Sequence, residues 1–285
     1  VIFWREAPVL QTVLGAIELV FMFCIYIVMI AGAGSLAEQL TGLGWMKLVF
    51  SALFCAALTA VSLKGVNGLV RIFSKVMPAL TFMAIAISAA AVFRADGLSF
   101  PAGSNNNPLI SNWGTAAFTY LSYNFLCAIG VIAPLGKMVR NARSIVIGSA
   151  LGCAVLFAIS AAILSAVATM PETAQTELPM IALCANMHPI LEYIYALLLF
   201  CAMFGASMSV FVPIPEFFCR FEKIKPHRLP FAFALSFVAW LGSNLGFSKL
   251  IGTVYPVFGY IGAAVLVLII IHFFKTNKSA TEVKQ

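Results

Sequence analysis

Three consecutive polar residues, Ser122, Tyr123 and Asn124, interrupt an apolar run that extends from 112 to 136. Two hydroxyls and a carboxamide can hold a small solute by hydrogen bonds, and groups of this kind are costly to bury unless they find partners. Further along the same run come Gly130 and Pro134. Pro134 has no N–H to donate to the Gly130 carbonyl one turn earlier, so the local chemistry predicts a helix break at 130–134. A break frees backbone groups that must be buried in protein or face a polar cavity. Two readings stand: these groups bind a solute, or the segment is a packing kink with a hydrogen-bonded Asn.

Glu18 lies well inside another apolar run, 10–32. A charged side chain at the centre of a spanning helix costs about 2.5–3.5 kcal/mol on insertion scales, so Glu18 is expected to face other helices and to have a partner. It either carries a coupling proton or pairs with a buried polar group. Tyr255 and Tyr260 flank Pro256 in the last run and either contribute to an outer gate or anchor the chain at the interface.

Catalytic patterns are missing. There is no H-E-x-x-H, no pair of catalytic carboxylates and no His/Cys ligand cluster, and His188, His227 and His272 fall at loops or helix ends. The seven cysteines include no C-x-x-C, and most sit in apolar runs, which suggests neither a disulfide framework nor a zinc site. The expectation is therefore no enzyme, no metal and no resident cofactor. The ion to look for is a coupling proton or sodium.

The elements that must position these residues follow from composition. Hydrophobic residues make up 62% of the 285 and charged residues 9%, with a mean hydropathy of +1.02. A water-soluble domain is typically about a quarter charged. Lipid must solvate most of this exterior. Eight apolar runs are candidate spans: 10–32, 45–62, 71–93, 112–136, 145–168, 189–212, 230–245 and 247–274. The seventh passes almost directly into the eighth through Gly242-Ser243-Asn244. The segment 173–187 is half apolar and reads either as a short helix along the outer interface or as an irregular loop. The loop 101–111 is rich in turn formers and reads as an extracellular connection.

The net charge of +7 does not indicate nucleic-acid binding, because the basic residues form short clusters between spans and not one face. With eight spans, one side collects Arg5, Lys64, Arg71, Lys75, Lys137, Arg140, Arg143, Arg220, Lys223, Lys225, Arg228, Lys275, Lys278 and Lys284. The other holds only Lys47, Arg94 and Lys249. A split of 14 to 3 predicts that both termini are cytoplasmic. Acidic Glu38, Asp96, Glu172, Glu177 and Glu192 fall on the outer side.

The chain also carries a short internal similarity. Gly65-Val66-Asn67-Gly68-Leu69-Val70 matches Gly246-Phe247-Ser248-Lys249-Leu250-Ile251 in character, with Pro78 and Pro256 following by 13 and 10 residues after the first and second glycines of the pair. The two copies lie on opposite sides of the membrane in the predicted topology, as in transporters built from inverted repeats. Spans four to eight (112–274) then form a five-helix second repeat, and 10–93 supplies the last three helices of the first. The fold expected is an all-α integral membrane domain, 1–285, comprising helices three to ten of a ten-helix protein, with a cytoplasmic tail at 275–285. A complete eight-span protein is the alternative.

The run YLSYNFLCAIGVIAPLGKMVRNARSIVIGSALG (120–152) resembles the sixth and seventh helices of amino-acid permeases with a five-plus-five inverted fold. More closely, the chain resembles the YkvI-type membrane proteins, regarded as candidate amino-acid permeases of the amino acid-polyamine-organocation superfamily. YIVMIAGAG (26–34), TELPMIALC (176–184) and SKLIGTVYPVFGYIG (248–262) support the resemblance, which starts at the third helix of the pattern. It implies a substrate site between interrupted first and sixth helices, with the break at 122–124 and Tyr26 beside the substrate. A packing role for Tyr26 is the other reading. Sodium-coupled relatives use neighbouring hydroxyls on their eighth helix, where this chain has Ser207 and Ser209. Residues two apart point to different faces, so only one can reach an ion.

These expectations combine into a multi-pass permease of the plasma membrane that moves a small polar solute, an amino acid by resemblance, by alternating access. The alternatives are a channel, or a sensor or assembly protein that transports nothing. The partners expected are a small-molecule substrate and the bilayer, with homo-oligomerisation open and nucleic acid excluded.

Overall fold

The computed structural model describes residues 8–64, 67–95, 97, 107–135, 142–222 and 224–282. Arg5, Gly65, Val66, Asp96, Lys137, Arg140, Lys223, Lys284 and the 101–106 part of the predicted loop lie outside the described residues. Among the described residues ten α-helices follow in order: α1 (Pro8–Thr41), α2 (Gly44–Lys64), α3 (Asn67–Arg94), α4 (Trp113–Leu135), α5 (Ala142–Thr169), α6 (Pro179–Met187), α7 (Pro189–Phe211), α8 (Pro213–Phe218), α9 (Arg228–Ser243) and α10 (Phe247–Glu282). Each of the eight predicted spans coincides with one of them.

Six helices are long and apolar enough over their described residues to cross a membrane: α1, α2, α3, α5, α7 continuing into α8, and α10. At 1.5 Å per residue, α9 with its 16 residues reaches only about 24 Å. Large apolar side chains point outward, as lipid requires. Phe82 is 75% exposed, Phe157 76% and Phe93 89%, values a water-soluble surface avoids. Along α5 the first half is exposed on every side.

Tight turns join the helices where glycine permits them. Gly42 takes φ +70° after α1 and Gly246 takes φ +95° after α9, a region open to glycine at little steric cost. The Gly42 N–H returns to the Glu38 carbonyl at 2.8 Å, closing the end of α1. Beside it Glu38 pairs with Lys47 at 3.2 Å.

The chain folds into two compact units. One comprises Val1–Cys24, Ser104–Ala142 and Lys249–Gln285; the other comprises Ile25–Gly103 and Arg143–Ser248.

In the larger unit α7 packs on α3 and α6, and α2 packs on α7 and α9. The segment 173–187 forms a 3-10 turn, Pro171–Gln175, followed by α6. Of the two readings the helix is the one found, and it is not laid loosely on the surface: Ile181, Leu183 and Cys184 have no exposure and join a core with Leu36, Ile87 and Tyr195. Its start is fastened to α1, since Ser35 Oγ donates to Glu177 at 3.0 Å and Gln39 Nε2 to the Leu178 carbonyl at 3.2 Å.

In the smaller unit the first part of α1 lies with α4 and α10. Phe21 stacks on Phe258 at 4.5 Å. Two glycines bring α10 against α4. A Cβ on Gly259 would stand 2.9 Å from the Thr119 carbonyl oxygen, and one on Gly262 would collide with the Ser122 carbonyl. Small residues at such crossings let helix backbones approach closely where no hydrophobic driving force acts.

Candidate functional site

The smaller unit holds a cavity of about 300 Å3 at the N-terminal ends of α4 and α10. Thr119, Tyr120 and Tyr123 line it from α4, Gly252 and Tyr255 from α10, and Asn107 from the connection before α4. Tyr123 stacks on Tyr255 with ring centroids 4.7 Å apart, and Tyr120 meets Tyr123 edge-on at 5.4 Å. The cavity is therefore walled by aromatic faces and edges, with no charged residue among the described residues of its lining.

A proline explains its polar end. Pro256 lies inside α10 and has no N–H to return to the carbonyl four residues back, that of Gly252. Asn107 supplies the missing donor: its Nδ2 reaches the Gly252 carbonyl at 2.9 Å. The same carboxamide accepts the Leu109 N–H at 3.0 Å, and the Ile110 N–H donates to the Asn107 carbonyl at 3.1 Å. Asn107 thus closes an Asx turn with one end of its side chain and docks on α10 with the other. Tyr260 donates its hydroxyl to the Leu109 carbonyl at 2.7 Å. The start of α4 is fixed by reciprocal bonds, Thr115 N–H to Asn112 Oδ1 at 2.9 Å and Asn112 N–H to Thr115 Oγ1 at 3.1 Å.

The predicted polar triplet divides. Tyr123 lines the cavity. Ser122 is wholly buried at the α10 crossing and donates to the Phe118 carbonyl at 2.7 Å. Asn124 is exposed and donates to the Tyr120 carbonyl at 2.8 Å. The expected interruption is not found: the described backbone of α4 is one helix from Trp113 to Leu135, through both 122–124 and Gly130 to Pro134. Apolar residues on all sides of the segment hid which face each polar residue takes. Tyr120 was missed although it lies one turn before Asn124 and shares the cavity. The signal that could have located the polar end was Pro256, which frees the carbonyl of Gly252.

Glu18 has a buried carboxylate oxygen and lies within electrostatic range of Cys127 on α4, in the same unit as the cavity. Ser207 and Ser209 point to different faces, as their spacing predicts: Ser207 is fully buried and bonds the Met203 carbonyl at 2.7 Å, whereas Ser209 is exposed and bonds that of Ala206.

Tyr26 belongs to the larger unit, where it is sealed from solvent in a polar network. Its hydroxyl is 3.2 Å from Ser236 Oγ and 3.5 Å from Cys55 Sγ. Ser236 Oγ is 2.6 Å from Thr59 Oγ1, and Cys55 donates to the Ser236 carbonyl at 3.1 Å. Phe211 packs on the Tyr26 ring at 4.5 Å. Every polar group here has a protein partner, so the cluster ties α1, α2 and α9 together from within.

Comparison with known proteins agrees with the membrane reading. The chain is 25% identical over 260 residues to a protein of Bacillus subtilis (strain 168) named uncharacterized membrane protein YkvI, an alignment that spans 88% of this chain and 72% of the relative. The chain is similar to the YkvI-type membrane proteins, as its motifs led us to expect. No family model matches it, and no solved structure matches it significantly.

Proposed function

We propose that this chain belongs to a permease of the plasma membrane, a secondary active transporter that moves a small polar solute, with amino acids the favoured class. The observation that supports this most is the tyrosine-walled cavity of about 300 Å3 among apolar helices, with a proline-freed carbonyl at one end. Few precisely placed polar groups in a mainly apolar concavity are what a small-ligand site needs. In this reading α4 and α9 join the other six helices as spans, both termini are cytoplasmic, and the chain is not an enzyme.

Coupling falls to a proton at Glu18 more readily than to sodium. The carboxylate lies in the same unit as the cavity, whereas Ser207 offers a single hydroxyl already committed to its own helix. The wider assignment to the amino acid-polyamine-organocation superfamily rests on motif resemblance.

The test is concentrative uptake of labelled amino acids into proteoliposomes containing the full-length protein, with a proton or sodium gradient imposed in separate runs. Accumulation above the outside concentration supports the permease. Uptake that stops at equilibrium makes the protein a channel, and no uptake across the panel favours a sensor or assembly role. Sidedness is read independently with Asn112→Cys and Arg228→Cys, which an impermeant thiol reagent outside intact cells should label and fail to label, respectively.

A further inference from the structure

We propose that residues 107–110 form a strap over the loop end of the tyrosine-walled cavity, latched by Asn107 and released to admit the solute. The proposal rests on reading that cavity as the solute site. Residues 107–110 are anchored at the α4 side, because Asn112 and Thr115 cap the helix that follows. Among the described residues, two side-chain ties hold them on the α10 side, Asn107 to the Gly252 carbonyl at 2.9 Å and Tyr260 to the Leu109 carbonyl at 2.7 Å. The ties sit on either side of Pro256, at the point where α10 lacks one of its own hydrogen bonds.

This arrangement gives the solute a reason to open the strap. A ligand shifts a conformational equilibrium only through contacts that differ between the two states. The Gly252 carbonyl supplies such a contact. Closed, it accepts from Asn107; open, it is an acceptor at the cavity wall, suited to an N–H or O–H of the solute. Leaving it unsatisfied is unfavourable, so release of the latch and capture of a donor favour each other. Asn107 is then a positioning residue: it exchanges places with the ligand, and its turn keeps the strap in shape while detached.

The experiment uses the full-length protein in lipid nanodiscs, which leave both aqueous faces open. Ala116→Cys places a reporter thiol in the cavity wall. The probe is a permanently charged methanethiosulfonate, and the rate is compared with that of the parent carrying only its seven native cysteines. Asn107→Asp keeps an acceptor for the Leu109 N–H but loses the donor to Gly252, and Tyr260→Phe removes only the second tie. Each should speed labelling of the reporter by about two- to tenfold, the loss of one hydrogen bond's worth of closure. Equal rates in parent, Asn107→Asp and Tyr260→Phe would overturn the strap. Native Cys184 and Cys55, at 0% and 4% exposure, report misfolding by becoming reactive. If Asn107→Asp exposes them, Tyr260→Phe decides the question alone. Labelling needs no solute, so faster labelling in a protein that fails to transport keeps the strap and removes the permease, and the reverse pattern removes only the strap.

Discussion

Tyr123 and Tyr255 lie face to face, 24° from parallel with their centroids 4.7 Å apart, although 132 residues of chain separate them (255 − 123). Each ring needs the other to hold the cavity wall. An aromatic pair contributes about 0.5–1.5 kcal/mol beyond area burial.

Tyr123→Ala should therefore weaken solute affinity several-fold to about a hundredfold and lower thermal stability, while Tyr123→Phe should retain most of both. Uptake kinetics and melting in detergent check the two effects separately. A Tyr123→Ala protein that folds and transports with unchanged affinity would remove this wall from the solute site.

The Tyr26 network predicts a stability effect in the larger unit. Ser236→Ala deletes the shared partner of Tyr26 and Thr59, so it should cost about 1–3 kcal/mol. Tyr26→Phe should cost less, because Ser236 and Thr59 keep each other. Denaturant or thermal titration of the two variants measures the order, and the reverse order would show that Tyr26, not Ser236, is the hub.

Cys184 predicts a pH dependence. Burial pushes its thiol up to about 12, with the Glu192 charge adding to the effect. An unfolded thiol titrates near 8.5, so the folded state resists an ionisation that the unfolded chain undergoes. The stabilisation is complete below that value and is lost as pH rises towards 12. Melting temperature should fall between pH 9 and 11, and Cys184→Ala should flatten part of the slope. The same burial means that an impermeant thiol reagent will not label Cys184 in the folded protein.

Helix positions were legible because twenty apolar residues in a row leave the backbone few choices in lipid. The segment 173–187 left helix and loop open, and the burial of the helix at 179–187 was not legible, since half-apolar composition fits both an interface and a core. For the site, Tyr123 stood out in the sequence as a polar residue inside an apolar run. The face taken by Ser122 could not, because a helix that is apolar all round gives no periodicity to orient it. Pro256 announces an orphan carbonyl from sequence alone, whereas Asn107, 145 positions from Gly252, has no local mark of its role. Tyr26 and Ser236 are 210 positions apart, and such a pairing is visible only in three dimensions.

Only Gly42 and Leu43 stand between α1 and α2. During synthesis such a hairpin must enter the bilayer as one object, because two residues cannot cross it while the first helix waits. A charge that misdirects α1 will therefore carry α2 with it, so that topology errors in this part of the chain arise in pairs and change the number of crossings by two.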